Sequence, residues 1–137
     1  MEEFYGKHYE LVNTEHFDKL LIYLDIGYFQ RQIALALRPI QYLVRNDDSS
    51  YTLFFKSAIV IYKLDFTPGV EFEETKPDGV KVQAFLTIEG NKIHHRQVEA
   101  NGRTLNHVYE FFPDKMTLTS TAPGLEHTVK RHYIAVK

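Results

Sequence analysis

The sequence predicts an all-β protein, an antiparallel meander closed into a barrel and capped by a helix-turn-helix. Two observations and one constraint carry that expectation. From residue 39 onward, turn signals recur at roughly the 8 to 12 residue interval of a sandwich or barrel. Before it, two adjacent segments have helical period. A long open meander would leave unpaired backbone groups on its rim, which closure removes, and barrels of about eight or more strands can hold a small ligand.

The elements follow in order. Residues 4–12 (FYGKHYELV) mix apolar and polar positions as a strand does and stop at Asn13 and Thr14, both competent helix N-caps. In HFDKLLIYL, Phe17, Leu20, Leu21 and Leu24 recur at three and four, an apolar stripe of helical period. Gly27 interrupts it. A second helix spans Tyr28 to Leu37, and Pro39 ends it by pushing its predecessor out of the α region. The stripe Phe17, Leu21, Ile26, Ile33 and Leu37 is expected to be mostly barrel-capping core, with part of it lining the way in. Strands then follow as IQYLV, YTLFF, IVIYKLDF, VEFEET, VKVQAFLTI, KIHHRQVE, RTLNHVYEFF, MTLTST and the closing TVKRHYIAVK, separated by NDDSS, KS, TPG, KPDG, EGN, ANG, PDK and APG.

Bulk numbers narrow the class. A length of 137 residues suits a single domain, 1–137. Hydrophobic residues make up 44%, charged residues 25%, and the formal net charge is -2, so no nucleic-acid partner is expected. With no cysteine and an acidic, amphipathic N-terminus unlike a secretory signal, the protein is expected in the cytoplasm. Separately, a monomer is expected. No apolar run approaches the roughly 20 residues of a transmembrane helix.

The closing strand poses the chemical question. With period two, Val129, Arg131, Tyr133 and Ala135 share one face, so an arginine points inward beside a tyrosine if that face is the core. Arginine offers five donors in a planar fork that suits a carboxylate, and Tyr133 can converge on the same anion from two residues away. The same alternation groups Leu105, His107, Tyr109 and Phe111, and His95 with Gln97. Taken alone, alternation also leaves open an edge strand with Arg131 in solvent. The neighbours His94 and His95 face opposite sides of a strand and cannot chelate one ion, and no metal or cofactor is expected.

KHYELVNTEHFDKLLIYL (Lys7 to Leu24) resembles the N-terminal signature of the intracellular lipid-binding proteins, which include the cellular fatty acid- and retinoid-binding proteins. Gly27, Arg31 and Pro39 match that family's second helix, Gly69 to Glu74 its glycine-x-glutamate-phenylalanine segment, and Arg131-His132-Tyr133 its arginine-x-tyrosine on the last strand. The resemblance implies a flattened, ten-stranded antiparallel up-and-down barrel, the clam of the lipocalin-like (calycin) architecture, around a large cavity. It also implies that Arg131 and Tyr133 bind a ligand carboxylate. One departure is plain: Tyr109 stands where the family carries a second arginine, so Tyr109 is expected as a hydroxyl donor instead. That leaves a carboxylate the expected head group while tolerating a neutral polar one.

The expected cavity wall draws Phe17, Leu21, Gln30, Ala34 and Pro39 from the helical region and Phe55, Ile59 and Tyr62 from the first strands. Glu74, Asp78, His95, Gln97, His107, Leu118 and Ser120 complete it. The resemblance places a gate between the second helix and the turns Ser57-Ala58-Ile59 and Lys76-Pro77-Asp78. Arg31 and Arg38 are read as a solvated face that could also meet an anionic membrane. An empty protein is expected to keep Arg131 hydrated or paired, with Glu74 a conceivable partner.

The expected function is a non-enzymatic carrier of a long-chain fatty acid or similar hydrophobic carboxylate, with a retinoid or another small hydrophobic ligand as the alternative. Each buried methylene gains about 0.8 kcal/mol before costs. A charge-assisted hydrogen bond nets about 1.5–3 kcal/mol. The tail therefore supplies affinity and Arg131 supplies selection. Two readings from other classes compete: a cone-shaped α+β isomerase or dehydratase with His107 or His95 as base beside Asp78 or Glu74, and an extracellular lipocalin, disfavoured by the missing signal and cysteines.

Overall fold

The computed structural model describes residues 1–136; Lys137, the last residue of the closing segment, lies outside the described residues. A 3-10 turn, Glu2–Phe4, drops Phe4 into the core. Strand β1 then runs Tyr9–Glu15, three residues past the expected end. Asn13 and Thr14 are therefore strand residues, paired with His132 and Arg131, and not helix caps. The physical reason is long-range: ladder bonds to the last strand outcompete a local side-chain cap. His16, at φ 60, makes the turn into helix α1 (Phe17–Tyr23) without a side-chain capping bond. Helix α2 (Tyr28–Ala36) ends just ahead of Pro39, and Arg31 Nη1 donates to Ile26 O at 2.6 Å, tying the second helix to the end of the first.

Nine more strands follow: β2 (Ile40–Arg45), β3 (Tyr51–Lys56), β4 (Ile61–Phe66), β5 (Phe72–Thr75), β6 (Lys81–Glu89), β7 (Lys92–Glu99), β8 (Thr104–Phe111), β9 (Lys115–Thr121) and β10 (Val129–Ala135). Strands β4 and β5 begin later than their apolar runs suggest, because Ser57–Val60 and Thr67–Val70 close tight turns first, with Ser57 N on Val60 O at 2.8 Å and Val70 N on Thr67 O at 3.1 Å. All ten strands form one antiparallel sheet in the order β4-β3-β2-β1-β10-β9-β8-β7-β6-β5. The first strand pairs with the last, so the meander bends round on itself, and β4 and β5 face each other across one unpaired seam. A closed meander with two short, adjacent helices excludes the open cone of the isomerase alternative. Among the described residues no helix is long and apolar enough to cross a membrane.

The main core fills the barrel around Tyr9, Leu11, Leu43, Leu86, Ile93, Phe111 and Met116. Tyr9 also donates to Phe112 O at 2.8 Å, so its buried hydroxyl is satisfied. A smaller cluster, Leu20, Leu105 and Val129, pins α1 to the barrel. Helix α2 differs from expectation: it has no buried residue, and Ile33 is 48% exposed. Its apolar side roofs a groove instead of packing into core, because a cap over an opening has nothing solid beneath it. Truncating the fully buried Leu43 to Ala should cost about 2–5 kcal/mol in urea denaturation, whereas Ile61→Ala, 66% exposed, should stay within about 0.5 kcal/mol.

Candidate functional site

Alternation along β10 settles which way the arginine points. Val129, Arg131 and Tyr133 are buried while Lys130 and Ile134 are exposed. The register carries that face across the sheet in rows. Arg131 pairs with Leu118, Leu118 with Tyr109, and Tyr109 with Ile93. The next inward-facing row runs Ser120, His107, His95 and Leu86. Two residues of strand rise, roughly 7 Å, separate the rows. From these rows Arg131, Leu118, Tyr109, His107 and His95 line one wall of a chamber of about 190 Å3, whose other sides include Gln41, Phe55, Tyr62 and Glu74.

Arg131 is 9% exposed, its Nε is buried without a hydrogen-bond partner, and its guanidinium lies 3.9 Å from the centroid of the Phe17 ring. Glu74, expected as a conceivable partner, is committed elsewhere. It accepts from Tyr62 Oη at 2.6 Å, His95 Nε2 at 2.8 Å and Gln97 Nε2 at 3.1 Å. Three donors on two strands, Tyr62 on β4 and His95 and Gln97 on β7, hold this carboxylate, so its capacity is spent away from the guanidinium. Burial is the largest single influence on Glu74 and pushes its pKa up. The bonds from His95, Tyr62 and Gln97, with the His95 charge, outweigh it and hold Glu74 below the usual carboxylate range.

The carboxylate sets the proton positions of the whole cluster. It can only accept, so Gln97 turns its amide nitrogen toward Glu74 and leaves Oε1 to accept from His107 Nε2 at 2.7 Å. The neutral His107 then has a bare Nδ1, which accepts from Ser120 Oγ at 2.7 Å. Burial first, then the positive charges of His95 and Lys76 opposed by Glu74, push the His107 pKa down to about 3. Its open surface faces the chamber, which it lines. Tyr62 Oη also lies 2.9 Å from Thr75 O, which shares the single phenolic proton with Glu74, so one side chain of β4 bridges the unpaired seam to β5.

Tyr109 lines the chamber beside Arg131, and burial raises its pKa, with Arg131 opposing. Tyr133 is buried behind the chamber wall, and its hydroxyl accepts from Gln41 Nε2 at 2.8 Å. Burial also raises its pKa, against the pull of Arg131 and Gln41. Both phenols are neutral donors near neutral pH.

The remaining expected wall residues divide into groups. Leu118 lines the chamber, and Ser120 lies behind it as the support of His107. Leu21, Gln30, Ala34, Ile59 and Asp78 line a separate apolar groove of about 580 Å3 between the helices and the turns that follow β3 and β5. Pro39 is fully buried, its carbonyl accepting from Leu11 N at 3.0 Å. Chamber and groove share Lys76 and Pro77, which stand between them.

Sequence reasoning overlooked Gln41 and treated Lys76 and Pro77 only as gate residues. Both polar positions had a signal: Gln41 shares an apolar strand face with Leu43, and Lys76 shares a face with Glu74. Outside the chamber, His94 and His95 diverge, His94 approaching Glu89 on the surface.

The histidine has a measurable consequence. An unfolded histidine titrates near 6.5 and the folded His107 near 3, so between those values the unfolded chain takes up a proton that the folded one refuses. Stability should therefore fall on acidification through that window, by at most about 1.4 kcal/mol per pH unit from this group. Glu74 adds its loss only below its ordinary value of 4.5, so the interval from pH 6.5 to 5 lies above its contribution, and comparison with a His107 variant singles out this histidine. His107→Gln should flatten the pH dependence of urea-unfolding free energy there, and identical slopes would show that His107 is not held neutral.

No protein-family model matches the chain. Among curated proteins, a fatty acid-binding protein of Tyrophagus putrescentiae is 33% identical over 118 residues, 85% of this chain and 88% of that protein. Among solved structures, the fatty acid-binding protein in brain tissue of Drosophila melanogaster has a TM-score of 0.89 at 31% identity, covering 96% of this chain and 99% of its own. A Schistosoma mansoni fatty acid-binding protein in complex with arachidonic acid has a TM-score of 0.90 at 26% identity, over 100% of this chain and 98% of its own. Identity at this level over nearly the whole barrel, joined to the same ten-stranded meander, makes the chain a member of the fatty acid-binding protein family.

Proposed function

We propose that the chain carries a long-chain fatty acid or similar hydrophobic carboxylate. The head group sits on Arg131 in the chamber, and the acyl chain runs past Lys76 and Pro77, the neck of this path, into the groove beneath the helices. One observation carries this reading: a buried arginine without a carboxylate partner among the described residues faces a chamber that shares Lys76 and Pro77 with an apolar groove. Burying an unpaired cation is costly, so the site favours an anion that completes it. Tyr109 adds a neutral donor, and Gln41 positions Tyr133. The arachidonic acid bound by the Schistosoma mansoni relative supports the same ligand class.

The carrier is non-enzymatic. His107 has both ring nitrogens engaged by Gln97 and Ser120 and stays neutral, which suits a wall residue and not a general base. We read the protein as a cytoplasmic monomer. Arg131→Gln should weaken oleate about 10- to 150-fold, the equivalent of about 1.5–3 kcal/mol, and oleyl alcohol far less. Displacement of a fluorescent fatty acid measures both, and equal losses would reject the anchoring role.

Delivery to membranes is proposed through the lid and the Ile59 turn, with Lys56 in place of Arg31 as the nearby cation. Arg31 is held by Ile26 O and lies over the Tyr28 ring, so it is a structural residue of the helix pair. Phe29, Ile59 and Ile61 are 76%, 65% and 66% exposed around the groove, and Lys56 is the register partner of Ile61. These apolar tips with an adjacent cation suit insertion into an anionic interface, at about 1 kcal/mol per basic residue near the surface. Transfer of a fluorescent fatty acid to anionic vesicles should rise with vesicle concentration and drop for Phe29→Ser with Ile59→Ser. Transfer independent of vesicle concentration would mean release into water.

A further inference from the structure

The alternation of β5 continues one step beyond the strand. Glu73 and Thr75 are exposed, whereas Glu74 and Lys76 are buried, at 4% and 7% exposure. The tight turn fixes that orientation: Lys76 N donates to Val80 O at 2.9 Å and Gly79 N to Lys76 O at 2.8 Å. Gly79 adopts φ +85, a left-handed conformation that a side chain rarely takes. A lysine is thus held at the neck, where it lines both chamber and groove.

Its charge is incompletely satisfied. The ammonium has three donors. Among the described residues its carboxylate partner is Asp78, with Nζ 3.4 Å from Oδ2, well beyond the roughly 2.7–2.9 Å of a good charge-assisted bond. Asp78 is itself near the surface, its side chain 21% exposed, and its other oxygen accepts from Val80 N at 3.0 Å. It can release the lysine to water without losing that turn bond. A carboxylate travelling down an apolar groove loses its hydration before it reaches Arg131, and a cation at the neck offsets that loss. The arginines of the lid do not stand there: Arg31 is spent on Ile26, and Arg38 opens onto a different small pocket beside Thr14.

We propose that Lys76 Nζ is a second carboxylate subsite, at the neck between groove and chamber, which takes the acid head group from Asp78 and passes it on to Arg131. This rests on the carrier reading above. The subsite selects fatty acids from the matching alcohols by rate, before Arg131 selects them by affinity. It also gives Asp78 a defined part as the competitor that holds Lys76 while the site is empty.

Opposite signs test the proposal. Stopped-flow association of the full chain with cis-parinaric acid, a fluorescent fatty acid, should slow about tenfold in Lys76→Met. It should quicken in Asp78→Asn, which removes the competing carboxylate. Association of the corresponding alcohol should change less than about twofold in either variant. A merely structural ion pair would move both variants the same way and treat acid and alcohol alike, and that outcome, or unchanged rates, overturns the subsite. If Lys76→Met does not fold, Asp78→Asn alone decides: faster acid association supports the proposal, and unchanged or slower association refutes it. Failure of the wild-type chain to bind the acid at all would instead overturn the carrier reading.

Discussion

The ladder between β1 and β10 is the contact on which the rest depends. It joins residues more than a hundred positions apart, and without it the meander would be an open sheet with its first and last strands exposed. The ladder also explains local choices that look unfavourable. Asn13 and Thr14 are drawn into the strand, and His16 takes a left-handed turn without a cap, since the pairing of β1 with β10 outweighs what a capped helix would gain. Because β10 carries Arg131 and Tyr133, the same ladder that closes the barrel aims the arginine into it.

Closure by backbone bonds is incomplete at the seam between β4 and β5, and side chains take over there. Tyr62 reaches across to Glu74 and to Thr75 O, and Glu74 gathers His95 and Gln97 from β7. A buried carboxylate is expensive unless its lone pairs are met, and here three donors from two strands meet them. The network therefore gives the seam specificity and makes the chamber wall polar and rigid on that side. His107, neutral and locked between Gln97 and Ser120, belongs to this scaffold more than to any reaction.

Charge satisfaction is graded among the three buried charged residues of the proposed ligand path. Glu74 is saturated, Lys76 is partly satisfied at the neck, and Arg131 has its Nε unpaired under Phe17. In the proposed carrier, that gradation corresponds to scaffold, passage and anchor. Tyr109 in place of a second cation leaves the deep end with a single positive charge and neutral donors around it, an arrangement that one carboxylate neutralises.

Alternation and turn chemistry in the sequence determined the strands, their inward faces and the two helices, because period two, period 3.6 and Pro39 act over a few residues. The arginine on the closing strand was legible in the same way once KHYELVNTEHF and Arg131-His132-Tyr133 tied the chain to a family. Tertiary structure alone decided three things. Helix α2 roofs a groove in place of joining the core, since burial depends on what lies beneath a helix and not on its own stripe. Glu74 turned to Tyr62, His95 and Gln97 in preference to Arg131, because strand register sets which side chains come within hydrogen-bond reach. Alternation put Lys76 on the face of Glu74, but its place between chamber and groove came from the five-residue turn that brings Val80 and Gly79 back onto it in space.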